Sequence, residues 1–156
     1  MDNNTQQNSV FKTIQLIYGA LIAGIAVFTI VVFTLVENMT YSLDVNDIFT
    51  IVVPITAVGG VLLSNFLYKS FINKISSNDS LSLKLAQYQT ATLIKGACLE
   101  GSALLAVVAT FLTNNITFLL VSLLLIVIMY LKFPKKEKFK EEVKLTFEEK
   151  SEFDRL

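Results

Sequence analysis

The fold class this sequence predicts is an all-α membrane protein: a four-transmembrane-helix bundle with a short cytoplasmic C-terminal helix. Three observations predict it. Of 156 residues, 53% are hydrophobic and only 17% charged, with a mean hydropathy of +0.60, more apolar surface than a soluble domain of this length needs for its core. The apolar residues fall in four blocks rather than at alternating or heptad spacing. The lysines divide those blocks in a regular way, occupying every second connection.

The chain opens with a polar tail, residues 1–9, and the transmembrane domain spans residues 10–133. Its crossings are expected at about 10–36, 48–68, 93–112 and 116–133. Roughly 20 helical residues cross a hydrocarbon core, so the first three have ample length. The fourth is shorter, and Asn115 and Lys132 extend it to the two interfaces, the lysine stem lying along lipid with its ammonium in headgroup water. The first block is taken as a crossing and not a signal peptide, because the run is long and no small-residue cleavage site follows it.

Lys12 lies at the start of the first block, Lys69, Lys74, Lys84 and Lys95 lie at or near the middle connection, and Lys132, Lys135 and Lys136 lie at or just beyond the end of the fourth. Residues 37–47 and the Thr113-Asn114-Asn115 turn carry no lysine or arginine. The positive-inside rule then puts both termini and the middle connection in the cytoplasm and the other two connections outside. The triplets Asn38-Met39-Thr40 and Asn115-Ile116-Thr117 have glycosylation-acceptor spacing, and their preferred reading is as turn and interface residues.

Ser76-Ser77-Asn78-Asp79-Ser80 breaks the middle connection, while Leu81, Leu85, Tyr88, Thr92 and Leu93 continue one helical face. The third helix should therefore start ahead of the lipid, near Leu81 or Leu83, with Lys84, Gln87 and Gln89 in water or headgroups. Pro134 opens a cytoplasmic tail, residues 134–156, whose Lys135, Lys136, Lys138 and Lys140 suit anionic headgroups. Glu137, Glu141 and Glu142 interrupt any basic stripe, which argues against nucleic acid as a partner. Thr146-Phe147-Glu148-Glu149 has capping-box spacing and predicts a short helix from Phe147 toward Arg155; for the apolar residues of this terminal segment three roles stand open, docking on the cytoplasmic helix extension, contact with a partner, and a mobile tail.

Glu100 is the only carboxylate inside any apolar block. An ionisable group at membrane depth is costly unless neutralised, paired or wetted, so this is the position that asks for a function. Its preferred role is structural, as a buried polar contact whose candidate partners are Tyr18, Thr56, Ser64 and Asn65. The alternatives are binding of a proton or sodium ion, recognition of a ligand, and a partner-supplied interface. Gly19, Gly24, Gly59, Gly60, Gly96 and Gly101 are the expected helix-packing positions, since small residues let membrane helices approach closely. Gly96-Ala97-Glu100-Gly101-Leu104 forms the local surface around the acid.

Residues 19–24 match residues 96–101 at a constant offset of 77, each at the opening of a hairpin. Two accounts stand side by side: duplication of a parallel hairpin, and an independent need for close helix contact. Tyr18 doubles as an interface anchor, Thr56 can bond a preceding carbonyl, and Gly59-Gly60 offers a packing or bending point after Pro54. With no histidine and a single Cys98, the sequence offers no metal-ligand set, no intramolecular disulfide and no Ser-His-Asp arrangement. Nor has it a glycine-rich phosphate loop. No cofactor is expected, and an enzymatic role is not favoured.

On Leu93-Ile94-Lys95-Gly96-Ala97-Cys98-Leu99-Glu100-Gly101, the Thr113-Asn114-Asn115 turn and Phe133-Pro134-Lys135, the chain resembles small four-helix inner-membrane proteins of Bacteroidota-type bacteria. That resemblance implies the bacterial cytoplasmic membrane and no particular activity. Through its four-helix plan and lone glutamate beside small residues it also resembles the duplicated proteolipids of rotary ATPases. It departs from them in placing the acid on the third crossing and in lacking an extended alternate-glycine pattern. The expected function is a structural, regulatory or assembly component of a membrane complex, with membrane lipids, a second copy or other inner-membrane proteins as partners. The alternative is a proton- or sodium-translocating subunit using Glu100.

Overall fold

The computed structural model describes residues 3–154. They form six helices: α1 (Asn3–Leu35), α2 (Ile48–Ile72), α3 (Leu81–Thr113), α4 (Ile116–Leu131), α5 (Lys136–Glu142) and α6 (Phe147–Asp154). Three helical segments are long and apolar enough to cross a membrane, Ser9–Leu35, Ile48–Ile72 and Leu81–Thr113. α4 has 16 residues and reaches that criterion only together with α5, from which a bend of 74° separates it. Pro134 lies in the bend.

The boundaries follow from local chemistry. α1 is already helical at Asn3, the first described residue, ahead of the expected crossing, and no proline or glycine interrupts this polar lead-in. Asp47 caps α2 by accepting the Phe49 N–H at 3.0 Å. Ser80 caps α3 through Leu83 N–H at 3.4 Å, so the third helix starts at the expected Leu81. α3 ends where Asn114 takes a left-handed conformation, φ 55°, one of the few side chains that tolerates it. Pro54 sits within α2 and removes one backbone donor there, while the Thr56 hydroxyl donates to the Val52 and Val53 carbonyls at 2.9 and 3.0 Å.

α3 is the axis of the molecule, with α1, α2 and α4 all packed on it. Leu99 and Ala103 meet Tyr18 and Ile25 of α1 and Leu125 and Met129 of α4 in one cluster; Val53, Ala106, Ala109 and Phe118 form a second toward the far end. Two buried polar contacts hold elements together at this depth. Ser102 Oγ donates to the Thr56 carbonyl of α2 at 2.9 Å, and Thr29 and Ser122 hydroxyls lie 3.4 Å apart between α1 and α4.

The two ends differ. At one, the α1–α2 connection is stitched to the α3–α4 turn: Thr40 N–H donates to Asn114 O at 2.8 Å, Ile116 N–H to Thr40 O at 2.9 Å, and Asn115 Nδ2 to Ser42 O at 2.7 Å. The buried Asn115 amide is thus consumed by capping α4 and tying down a loop, as the turn reading of its triplet requires. At the opposite end a third cluster joins Phe11, Ile14, Tyr68, Leu85 and Tyr88 to Phe139, Val143 and Phe153 of the tail.

Candidate functional site

α3 carries the polar groups that matter, and its helical phase sorts them. Leu81, Lys84, Tyr88, Lys95, Leu99, Ser102, Ala106 and Thr110 form its buried stripe, whereas Ala97, Gly101, Val108 and Phe111 are exposed. Glu100 is half-exposed at the edge between these faces. Gly96, one turn earlier on the same side, packs on α1, where a Cβ would lie 3.1 Å from the Tyr18 ring. A Cβ on Gly101 would meet nothing within 4 Å. The acid therefore sits on an outward flank beside two small residues, Ala97 and Gly101, that another backbone could approach.

Among the described residues, no hydrogen bond or ion pair reaches Glu100, and its four expected partners are placed otherwise. Tyr18 is buried with its hydroxyl unpaired, its ring edge-on to Phe133 at 5.9 Å. Thr56 donates within α2, as does Ser64, to the Val61 carbonyl at 2.9 Å. Asn65 Oδ1 accepts from Lys132 Nζ at 2.8 Å, joining α2 to the end of α4. The glycines divide likewise. Gly60 and Gly96 lie at tight helix contacts and Gly19 rests near Phe133, whereas a Cβ on Gly24, Gly59 or Gly101 would meet open space.

The lysine-rich end holds a polar network that the sequence reading did not foresee. Lys84, expected in water or headgroups, is fully buried: its Nζ bonds both Glu149 carboxylate oxygens at 2.9 and 2.8 Å and the Ser77 carbonyl at 3.0 Å. Its helical phase, shared with Leu81 and Tyr88, turns it inward, and the returning tail supplies the counter-charge. Partial burial alone would push the Glu149 carboxyl up, but the Lys84 ammonium and the Thr146 backbone N–H hold it below its ordinary range. Glu149 also accepts that Thr146 N–H at 2.7 Å while Thr146 Oγ1 accepts the Glu149 N–H at 3.3 Å, completing the predicted capping box.

About three turns further along α3, Lys95 Nζ stands 3.9 Å over the Tyr68 ring, and the Tyr68 hydroxyl donates to Glu142. Lys138 lies 3.9 Å from the same carboxylate. α5, which the sequence reading did not include, presents Phe139 into the cluster, 5.0 Å from the Tyr88 ring and 4.9 Å from that of Phe153. Lys95 and Glu100, five residues apart on α3, point apart, Lys95 into the base and Glu100 toward the flank. Among the described residues no group of three or more His, Cys, Asp or Glu side chains converges to hold a metal ion.

Chemically, the base combines the Lys84–Glu149 ion pair with cation–ring contacts, suited to fixing the tail. Glu100 is different, lying within a helix long and apolar enough to cross a membrane, with no bonding partner among the described residues. Comparisons with protein-family models, with characterised proteins and with solved structures found no match.

Proposed function

We propose that this chain is a structural or assembly component of a complex in the bacterial inner membrane, and that it binds another transmembrane helix along the Glu100 flank of α3. On this reading the molecule is a four-helix transmembrane bundle with both termini in the cytoplasm. α4 completes the fourth crossing with Asn115 and Lys132 at the two interfaces. The two hairpins run in the same sense, with both inter-helix turns at the stitched end, which supports a duplication account of the 77-residue offset.

The observation that carries the proposal is the position of Glu100, half-exposed on an outward flank, without a partner among the described residues and beside the exposed Ala97 and Gly101. A carboxyl group facing hydrocarbon is expensive, and a helix offering a donor removes that cost while small residues permit the approach. An internal structural role for the acid would call for a bond within the chain.

The test is purification from native membranes in mild detergent, with quantitative mass spectrometry of wild type and Glu100→Gln. A stoichiometric partner recovered with wild type and depleted in the variant is the expected result. Recovery of the chain alone in both cases would refute the assembly reading. It would turn attention to the ion-translocating alternative, for which ion flux through the purified protein is the assay.

A further inference from the structure

α1 and α4 do not close on each other at the lysine-rich end. A cleft of about 480 Å³ opens there between them, lined by Gly19 and Ile22 of α1 and by Tyr130, Leu131, Phe133 and Lys135. Its walls are mainly apolar, and Lys135 is its one charged lining residue. The mouth is fixed in place, since Gln15 Nε2 donates to the Pro134 carbonyl at 3.0 Å and pins the chain after α4 to α1.

Lys12 adds a second cation. It precedes Gly19 by seven residues, two helical turns, and so lies on the same face of α1 roughly 10 Å toward the N-terminus. Both Lys12 and Lys135 are exposed, and neither ammonium is engaged in a hydrogen bond or ion pair among the described residues. The cleft thus has an apolar floor that descends along the helices and a positively charged mouth at the interface.

We propose that this cleft is a binding site for one anionic phospholipid, an acyl chain lying over Gly19 and Ile22 and the phosphodiester between Lys12 and Lys135. Charge complementarity selects the occupant: a basic pocket between transmembrane helices on the cytoplasmic side favours an acidic headgroup over a zwitterionic one. Gly19 has a part in this. A Cβ there would make only an ordinary contact, 3.8 Å from the Phe133 ring, so the missing side chain leaves room in the cleft where the fold does not require its absence.

The inference rests on the membrane reading above, and one experiment separates the two. Purified protein in mild detergent is mixed with equimolar phosphatidylglycerol and phosphatidylcholine and examined by native mass spectrometry. The expected result is one retained phosphatidylglycerol per protomer under activation that strips phosphatidylcholine. Lys135→Gln and Lys12→Gln should each lower that retention about five-fold, and Gly19→Leu should abolish it by filling the floor. The lysine variants, both at exposed positions, keep the test decisive if Gly19→Leu fails to fold. Equal retention of the two lipids, or retention unchanged in both lysine variants, would mean annular lipid only and overturn the site. A chain that stays monodisperse without detergent would instead refute the membrane reading itself.

Discussion

At Gly60 an added Cβ would fall inside the Ser102 hydroxyl and 3.1 Å from the Cys98 carbonyl oxygen, so α2 lies on α3 here only because its backbone is bare. Ser102 cannot simply rotate away, since its hydroxyl spans the Thr56 carbonyl of α2 and the Cys98 carbonyl of α3 at 2.9 and 3.2 Å. Gly60→Ala should therefore destabilise the protein by about 1–3 kcal/mol, the usual cost of overpacking, despite the better helix propensity of alanine. Gly59, its neighbour, faces open space, and Gly59→Ala should be neutral or stabilising by up to about 1 kcal/mol. Thermal unfolding of the two variants in the same detergent checks the contrast. Equal effects would mean that the α2–α3 contact is not where the geometry puts it. The sequence showed two adjacent glycines of equal standing, and only helical phase relative to Ser102 tells them apart. For the same reason the side of α3 that Glu100 faces was illegible. In a membrane helix the outward neighbours are as apolar as the inward ones, so no polar face marks the exterior.

α5 and α6, of seven and eight residues, are too short to persist alone, and tertiary contacts hold them. Phe139 and Phe153 are 0% and 1% exposed, each contributing about 1.5–3 kcal/mol of burial, and Glu149 joins the capping box of α6 to the buried Lys84. Glu149→Gln should loosen α6 by about 1–2 kcal/mol, since it replaces a charge-assisted contact by a weaker one at a partly exposed carboxylate. Hydrogen exchange would register this as roughly 5- to 30-fold faster exchange of the α6 amides, with α3 little changed. The pH dependence has a definite sign. The folded carboxyl is held below its ordinary value, so its contribution is complete above the ordinary carboxylate range and is lost as pH falls through the folded value. Acidification should thus release α6 in wild type but add little in Glu149→Gln. The start of α6 was legible because a capping box is a local pattern of four residues. Its second role was not, because Lys84 and Glu149 are 65 residues apart and only the fold brings them together. α5 escaped notice because one buried phenylalanine among lysines and glutamates leaves almost no periodic signal.

Over the whole molecule the loops divide by charge and by structure at once. The stitched end, where Thr40 pairs with Asn114 and Ile116 and Asn115 reaches Ser42, joins two connections without lysine or arginine. The opposite end gathers Lys69, Lys74, Lys84, Lys95, Lys132 and the lysines of the tail. The block pattern and the lysine alternation made the sequence legible at this scale, because segment length and loop charge are properties of composition rather than of side-chain contacts. That α3 is the axis was not legible, since lipid and protein neighbours impose the same apolar requirement. The charge division leads to a test of orientation. With Cys98→Ser as background, single cysteines at Leu43, 60% exposed beside the stitched loop, and at Ser151, exposed on α6, report the two ends. In intact cells a membrane-impermeant maleimide should label Leu43→Cys and leave Ser151→Cys unlabelled until the membrane is permeabilised. Reversed labelling would place the lysine-rich base outside, against the charge rule. It would also remove the cytoplasmic leaflet's negative surface as the field that holds the lysine-rich end of the bundle in place.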